Sequence, residues 1–384
     1  MLHSMWIAPM AALALSQPMP TQIRVKIFPH LYDYLPQRQD VDPSTVELKS
    51  SSNCEVDQGN PNGPASTGVV TQQLDSLDMT LTHSKMDSPL WISCDGDIQV
   101  VRSGDVPSFS YSGPIYIHDS TTGPELIQVK AINDYLQGVL PSEMAADWAK
   151  EALKAQAVAA RTYAEFHIAY AKILGARSDF YDVDDTVFYQ AYTGTSDEKP
   201  TADQAIADTG FEVMTYGDQV IQAYFSASAG GYTEEADHVW PVNAPYCQAK
   251  PESFSDADPW KAKLALADIN QKLFAEHLIS SSNPVTDVVV KSTNRWASGR
   301  ASKVTLVLRD GVTSDLDALN FRKIFDLKST LFTVEHVDTD IVLSGRGFGH
   351  GVGMSQDGAE VLAKKMGWDY RKILNYYYSN IQIQ

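Results

Sequence analysis

The sequence predicts an α+β fold, with a mixed sheet core, one long buried helix and a loop-rich insertion near the N-terminus. Three observations carry that expectation. Several short runs alternate apolar and polar residues with the period of a strand. One run, residues 148–174, contains neither Gly nor Pro. Strands and helices also do not follow one another in strict βαβ order.

Taken in order, residues 1–16 read as a signal peptide. "MWIAPMAALALSQ" is apolar and ends in small residues, with Ala12-Leu13-Ala14 as the cleavage candidate. Only His3 stands where a basic segment belongs, so an apolar, frayed N-terminus is the other reading. "IRVKIF" (23–28) alternates like a strand and opens a domain spanning 21–384. Residues 50–90 are rich in Ser, Asn, Gly, Pro, Gln and Asp and read as a surface insertion. "DIQVVRSG", "GPIYIHD" and "ELIQVKAI" then read as strands. The helix follows, with Asp147 as N-cap, Glu151 in the first turn and Gly175 as terminator. Its many alanines imply close packing on several sides. "VLPSEM" (139–144) reads as a turn just upstream, so its one acid, Glu143, is mounted beside a rigid element. Later, "TVFYQAYTG" and "VIQAYFSASAGGYTEE" read as strands entering glycine-rich turns, and "TDVVVKSTNRWASGRASKVTLVLRDG" as paired strands. "ALNFRKIFDLKSTLFTVEHV" reads as helix then strand, and the C-terminus as a glycine-rich loop followed by helices.

Composition is that of a globular chain: 43% apolar, 10% aromatic and 20% charged. A net charge of −18 argues against a general nucleic-acid binder and against residence on an anionic membrane surface; a neutral or cationic polymer suits it better. No segment after the N-terminus approaches the ~20 apolar residues of a membrane span. Cys54 and Cys94 flank a polar stretch and can form one disulfide, leaving Cys247; three reduced thiols are the alternative. No metal or cofactor is expected. CxxC is absent, and His238 with Cys247 falls short of the four ligands of a closed zinc site. Gly-x-Ser-x-Gly is absent too, so Ser226 and Ser228 are not read as nucleophiles.

Several stretches taken together resemble the stage II sporulation protein D family. They are Val139 to Met144, the helix segment Glu151 to Tyr163, "YQAYTG" (189–194), "SAGGYTEEADHVW" (228–240), "DPW" (258–260), "FRKIFDLKSTLFTV" (321–334) and "GFGHGVGMSQDGA" (347–359). The resemblance covers roughly residues 110–384. It implies a lytic transglycosylase acting on peptidoglycan glycan strands outside the cytoplasm, in the periplasm or cell wall. Members often act on strands whose stem peptides an amidase has removed. One carboxylic acid protonates the glycosidic oxygen, and the resulting carboxylate takes the proton of the muramoyl C6 hydroxyl, closing a 1,6-anhydro ring. The second carboxylate of an ordinary glycosidase is then unnecessary. Two rivals stand beside this reading. One is a non-catalytic wall-binding partner resembling amidase enhancers. The other is a hydrolytic muramidase whose second carboxylate is Asp147, Asp185 or Glu234.

Under the resemblance Glu143 is the catalytic acid, with Leu140, Met144 and Trp148 as its apolar neighbours in sequence. Arg161 is read as structural, because about 21 Å of continuous helix separates it from Asp147. His350 either contacts substrate or orients Glu143, or else it holds its own loop. Gln356 is a sugar ligand or a loop brace. Ser226 and Ser228 offer hydroxyls to a sugar. Gln190 and Tyr192 share a face at strand period and form either a saccharide contact or the edge of a sheet.

Overall fold

A computed structural model of the chain describes residues 22–27, 45–58, 72–82, 89–101, 108–120, 123–174, 181–187, 189–255 and 258–384. The signal-peptide segment and the Gly175 helix stop lie outside these residues. The chain divides into two compact units at Val213/Met214, and both mix strands and helices, so the fold class is α+β.

The first unit holds strands β1 (Gln22–Ile27), β2 (Thr45–Ser50), β3 (Cys54–Gln58), β4 (Gln72–Leu74), β5 (Leu77–Thr82), β6 (Leu90–Cys94), β7 (Ile98–Val101), β8 (Phe109–Tyr111), β9 (Ile115–Ser120), β10 (Gly123–Ala131) and β11 (Val183–Asp184). Its helices are α1 (Ile132–Glu143), α2 (Lys150–Leu174) and α3 (Pro200–Asp208). Seven strands pair in the order β11-β1-β10-β9-β6-β3-β4, and four more in the order β5-β2-β7-β8. Only the β1–β11 pairing in the larger sheet is parallel. Alternation in β1 buries Ile23, Val25 and Ile27 completely. The described part of residues 50–90 carries β3, β4 and β5, strands too short and polar to stand out in the sequence. Cys54 and Cys94 face each other across β3 and β6 and are disulfide-bonded.

A helical layer covers the larger sheet: α1 packs on β1 and β10 and also against α2 and α3. The alanine-rich face of α2 explains the close approach, since Ala152, Ala155, Ala157, Ala159, Ala160 and Ala164 are all fully buried. Each buried leucine or valine of α1 (Leu136, Val139, Leu140) is worth roughly 1.5–3 kcal/mol. This layer is the rigid floor on which Glu143 stands.

The second unit is built on two antiparallel three-stranded sheets. One pairs Asp340–Arg346 with Pro259–Ala265 and Phe332–Val337. The other pairs Lys303–Leu308 with Val285–Val289 and Thr313–Asp317. Trp260, Leu273, Val304, Phe321, Phe332 and Leu343 belong to the core they share with helices Leu266–Ala275 and Ala318–Ile324. Two further helices, Gln356–Met366 and Tyr370–Tyr377, follow the glycine-rich loop. The strand expected from "TVFYQAYTG" (186–194) is not formed among its described residues, and that expected from "VIQAYFSASAGGYTEE" reduces to Gln219–Val220 and Phe225–Ser226. The alternation in those stretches marks side chains entering a core from irregular backbone.

Candidate active site

Glu143 is the last residue of α1, so the turn expected at "VLPSEM" is helical up to its acid. Gly138 and Pro141 hide the helix in the sequence, since both oppose helix interiors. Pro141 lies in the final turn. The helix stops at Met144, which turns extended (φ −140°, ψ 135°) while its amide donates to the Leu140 carbonyl at 3.0 Å. The chain then makes a turn, with the Trp148 amide donating to Ala145 O at 3.0 Å, before α2 begins at Lys150. Asp147 is exposed on that turn and does not cap α2. The first α2 amides, of Ala152 and Leu153, donate instead to the Ala149 carbonyl.

Glu143 is half-buried, and its sequence neighbours Leu140 and Met144 are enclosed. The backbone amide of Ala191 donates to its Oε1 at 2.7 Å. Residues on both sides of Ala191 fix that amide. Gln190 Nε2 donates to the Ala160 carbonyl of α2 at 3.2 Å, and Tyr135 of α1 donates its hydroxyl to Gln190 Oε1 at 3.3 Å. The Tyr192 hydroxyl donates to Gln128 Oε1 at 2.6 Å, and its ring lies 4.9 Å from that of Tyr135 and 6.0 Å from that of Tyr111. Ser142 and Thr193 hydroxyls meet at 3.0 Å. Gly138 makes the approach possible: a Cβ there would lie 2.2 Å from the Gly194 carbonyl oxygen and 2.6 Å from the Tyr192 ring.

Gln190 and Tyr192 are 0% and 2% exposed, so they brace the Ala191 segment from inside the core. The strand expected from their period-2 spacing is not formed: residues 189–193 are irregular backbone whose alternate side chains enter the core. Burial, and after it the charge of Glu143, pushes the Tyr135 phenol well above its ordinary range and keeps it a neutral donor.

Arg161 is fully buried. Its Nε donates to Asn133 Oδ1 at 3.0 Å, Nη1 to the Glu212 carbonyl at 3.1 Å, and Nη2 to Ile206 O and Thr209 Oγ1 at 3.3 Å. Burial lowers the guanidinium to about 10, leaving it charged at neutral pH. It clamps the start of α1 to the end of α3, about 15 Å of helix away from Glu143. Of the rival second carboxylates in this unit, Asp185 is buried, with the Tyr111 hydroxyl 3.5 Å away, and Asp147 is exposed.

Ser226, Ser228, His350 and Gln356 belong to the second unit. There, Phe225–Ser226 pairs in parallel with Met354–Ser355, and Ser228 exchanges two backbone hydrogen bonds with Phe348. Ser226, Ser228 and Gln356 are 7%, 1% and 4% exposed. Gly351 and Gly353 adopt positive φ (80° and 71°), and a Cβ on either would strike the Arg300 guanidinium or the Tyr224 carbonyl. The glycines therefore admit the protein's own neighbours. His350 Nδ1 accepts the Val352 amide at 3.0 Å, and the ring is hydrogen-bonded to the Phe225 backbone. Desolvation, then the charges of Arg322 and Arg300, lower this imidazole to about 3. Its placement is that of a neutral loop brace. Ser226, Ser228 and Gln356 are enclosed like Gln190 and Tyr192, whereas His350 is half-buried.

Among the described residues one group could offer metal ligands: Glu235, Asp237 and His238, with ligand atoms within 4.8 Å of one another. Both acids are exposed, and His238 Nδ1 already lies 2.9 Å from Glu234 Oε1. Three such groups do not make a closed site. No helix among the described residues is long and apolar enough to cross a membrane. Sequence reasoning missed Tyr135, which lies on the unrecognised helix, and the Ala191 amide, which has no side-chain signature.

The first unit thus holds the Glu143 carboxylate, half-buried at the end of α1, with one oxygen on the Ala191 amide. Residues 120–216 match the family described as Stage II sporulation protein, and residues 249–353 match a domain of unknown function (DUF8618). Stage II sporulation protein D of Bacillus subtilis is 31% identical over 288 residues, covering 71% of this chain and 80% of that protein. An uncharacterised protein of Brachyspira hyodysenteriae is 37% identical over 259 residues, 66% of either chain. The amidase enhancer of Bacillus subtilis is 30% identical over 289 residues, 63% of this chain; the chain spans only 39% of that relative's length. The chain belongs to the stage II sporulation protein D family.

Proposed function

We propose that the protein is an exported lytic transglycosylase that cleaves MurNAc–GlcNAc bonds in peptidoglycan strands, preferring strands stripped of stem peptides. The observation that carries this reading is the Glu143 carboxylate, half-buried at the end of α1 and held by the Ala191 amide. Glu143 as the acid delivers its proton to the bridging oxygen, and the C1–O bond breaks. The carboxylate then accepts the C6 hydroxyl proton as O6 bonds to C1, so the acid is regenerated and no water is consumed. Ring closure within one sugar has the rate advantage of an intramolecular attack. The Cys54–Cys94 disulfide supports export, because such bonds persist in oxidising compartments.

A second reading, a wall-binding protein that assists an amidase without cutting glycan, is favoured by the amidase-enhancer relative. Glu143→Gln separates the two. The swap is nearly isosteric and removes the transferable proton, so release of soluble fragments from denuded peptidoglycan should fall by at least ~10²-fold. Full activity in the folded variant would contradict the assignment, and a wild-type protein that releases nothing yet stimulates an amidase would favour the second reading.

A further inference from the structure

Glu143 ends α1 on a turn that the helix itself holds poorly. Pro141 supplies no N–H to the Gln137 carbonyl, and Gly138, one turn before Ser142, is among the poorest helix formers. Contacts from outside the helix therefore decide how firmly its end is held. Two reach it from the 190–194 segment. One is the Ala191 amide on the Glu143 carboxylate. The other joins the hydroxyls of Ser142 and Thr193, both half-buried residues, at 3.0 Å.

The direction of the second contact follows from the chemistry of its partners. Ser142 Oγ also lies 2.8 Å from the Gly138 carbonyl oxygen, which can only accept. A hydroxyl has one hydrogen, so Ser142 spends its own on that carbonyl, the i−4 bond that serine makes in helices. Thr193 must then be the donor to Ser142. Thr193 is itself firmly placed. On one side the Tyr192 hydroxyl donates to Gln128 Oε1 at 2.6 Å. On the other, the Thr195 amide donates to Ser110 O at 2.7 Å and its hydroxyl to Asp97 Oδ2 at 2.5 Å. The relay thus starts on a fixed segment and ends on the backbone of α1 at Gly138.

We propose that Thr193 is a positioning residue for Glu143: its hydroxyl, acting through Ser142, fixes the final turn of α1, while the Ala191 amide fixes the carboxylate that hangs from it. The link to turnover rests on the reading of Glu143 as the acid; the clasp rests on the two hydroxyl contacts alone. It returns to the α1 terminus the stiffness that Gly138 and Pro141 take away, at a place where a displacement of an ångström matters.

The test compares Thr193→Val, Thr193→Ser and Ser142→Ala with wild type in the full chain, by hydrogen exchange at the Met144 amide and by release of anhydro ends from denuded peptidoglycan. The Met144 amide reports on the turn because it donates to Leu140 O at 3.0 Å. Valine keeps the shape of threonine and removes the donor. Exchange at Met144 should speed up ~5-fold, the weight of one neutral hydrogen bond. kcat should fall about tenfold at constant KM, since the residue acts through the acid and not on the sugar. Melting should move by no more than ~4 °C, because both residues are half-buried. Thr193→Ser restores the donor and should return exchange and kcat to within about twofold of wild type. Thr193→Val and Ser142→Ala remove the same contact, so the double variant should be no worse than the worse single one. Unchanged exchange or unchanged kcat in Thr193→Val would overturn the proposal. So would a rise in KM alone, a failure of serine to rescue, or losses that multiply in the double variant. If wild type releases no anhydro ends, the transglycosylase reading falls and Met144 exchange alone decides the clasp.

Discussion

The Ala191 amide holds one oxygen of the Glu143 carboxylate at 2.7 Å, and everything that fixes Ala191 is buried packing. Gln190 ties it to α2, Tyr192 ties it to the sheet, and the absent side chain of Gly138 lets the segment lie on α1. The position of the acid is thus set by two helices and a loop that meet only in the folded chain.

Gly138→Ala tests that dependence. The new methyl would meet Gly194 O and the Tyr192 ring at under 3 Å, forcing the 190–194 segment outward. Overpacking costs ~1–3 kcal/mol, offset by about 1 kcal/mol of better helix propensity. Melting should therefore change little while turnover falls about 10- to 100-fold, as expected when a catalytic group is misplaced by an ångström. Unchanged turnover would show that the Ala191 contact is dispensable.

Arg161→Ala should act on stability. It strips donors from the Glu212 and Ile206 carbonyls and from the Asn133 and Thr209 side chains. At ~1–3 kcal/mol for each buried group left unpaired, a loss of at least about 3 kcal/mol in denaturant unfolding is expected. Residual activity should follow the folded fraction. A variant with wild-type stability and no turnover would place Arg161 in the chemistry instead.

His350 makes stability depend on pH. Its folded value of about 3 lies below the ordinary histidine value of 6.5. Between these values the unfolded chain binds a proton that the folded one does not, so its contribution is present above pH 6.5 and is lost as pH falls towards 3. The slope is at most about 1.4 kcal/mol per pH unit. His350→Gln should flatten the pH 6.5–4.5 stretch of a stability profile. An unaltered slope would mean that the imidazole titrates normally.

Reduction of the Cys54–Cys94 bond, which closes a separation of 40 residues, should cost about 2–4 kcal/mol in the loop-entropy account. Cys54→Ser measured by chemical unfolding with and without reductant checks this; a variant insensitive to reductant and as stable as wild type would contradict it.

What the sequence made legible follows from the range of each interaction. Helix α2 is plain because its alanines and lack of Gly and Pro are local facts. Helix α1 is obscured by Gly138 and Pro141, and Gly138 is required by a carbonyl 56 positions along the chain. Likewise the 347–353 glycines advertise a special loop, but the groups that crowd Gly351 and Gly353, Arg300 and Tyr224, lie far away in sequence. Gln190 and Tyr192 were visible as a pair because period-2 spacing is real there. Whether such a pair faces a ligand or a core is decided by Tyr135, Gln128 and Ala160, which no local pattern names.

The most direct test of the central claim is mass spectrometry of muramoyl ends released from denuded peptidoglycan in heavy-oxygen water. If Glu143 delivers and recovers one proton while O6 closes the ring, every new end is an anhydro sugar, one water lighter than a reducing end. It carries no label and resists borohydride, and Glu143→Gln yields none. Labelled, borohydride-reducible muramoyl ends would contradict the account and call for a second carboxylate that activates water.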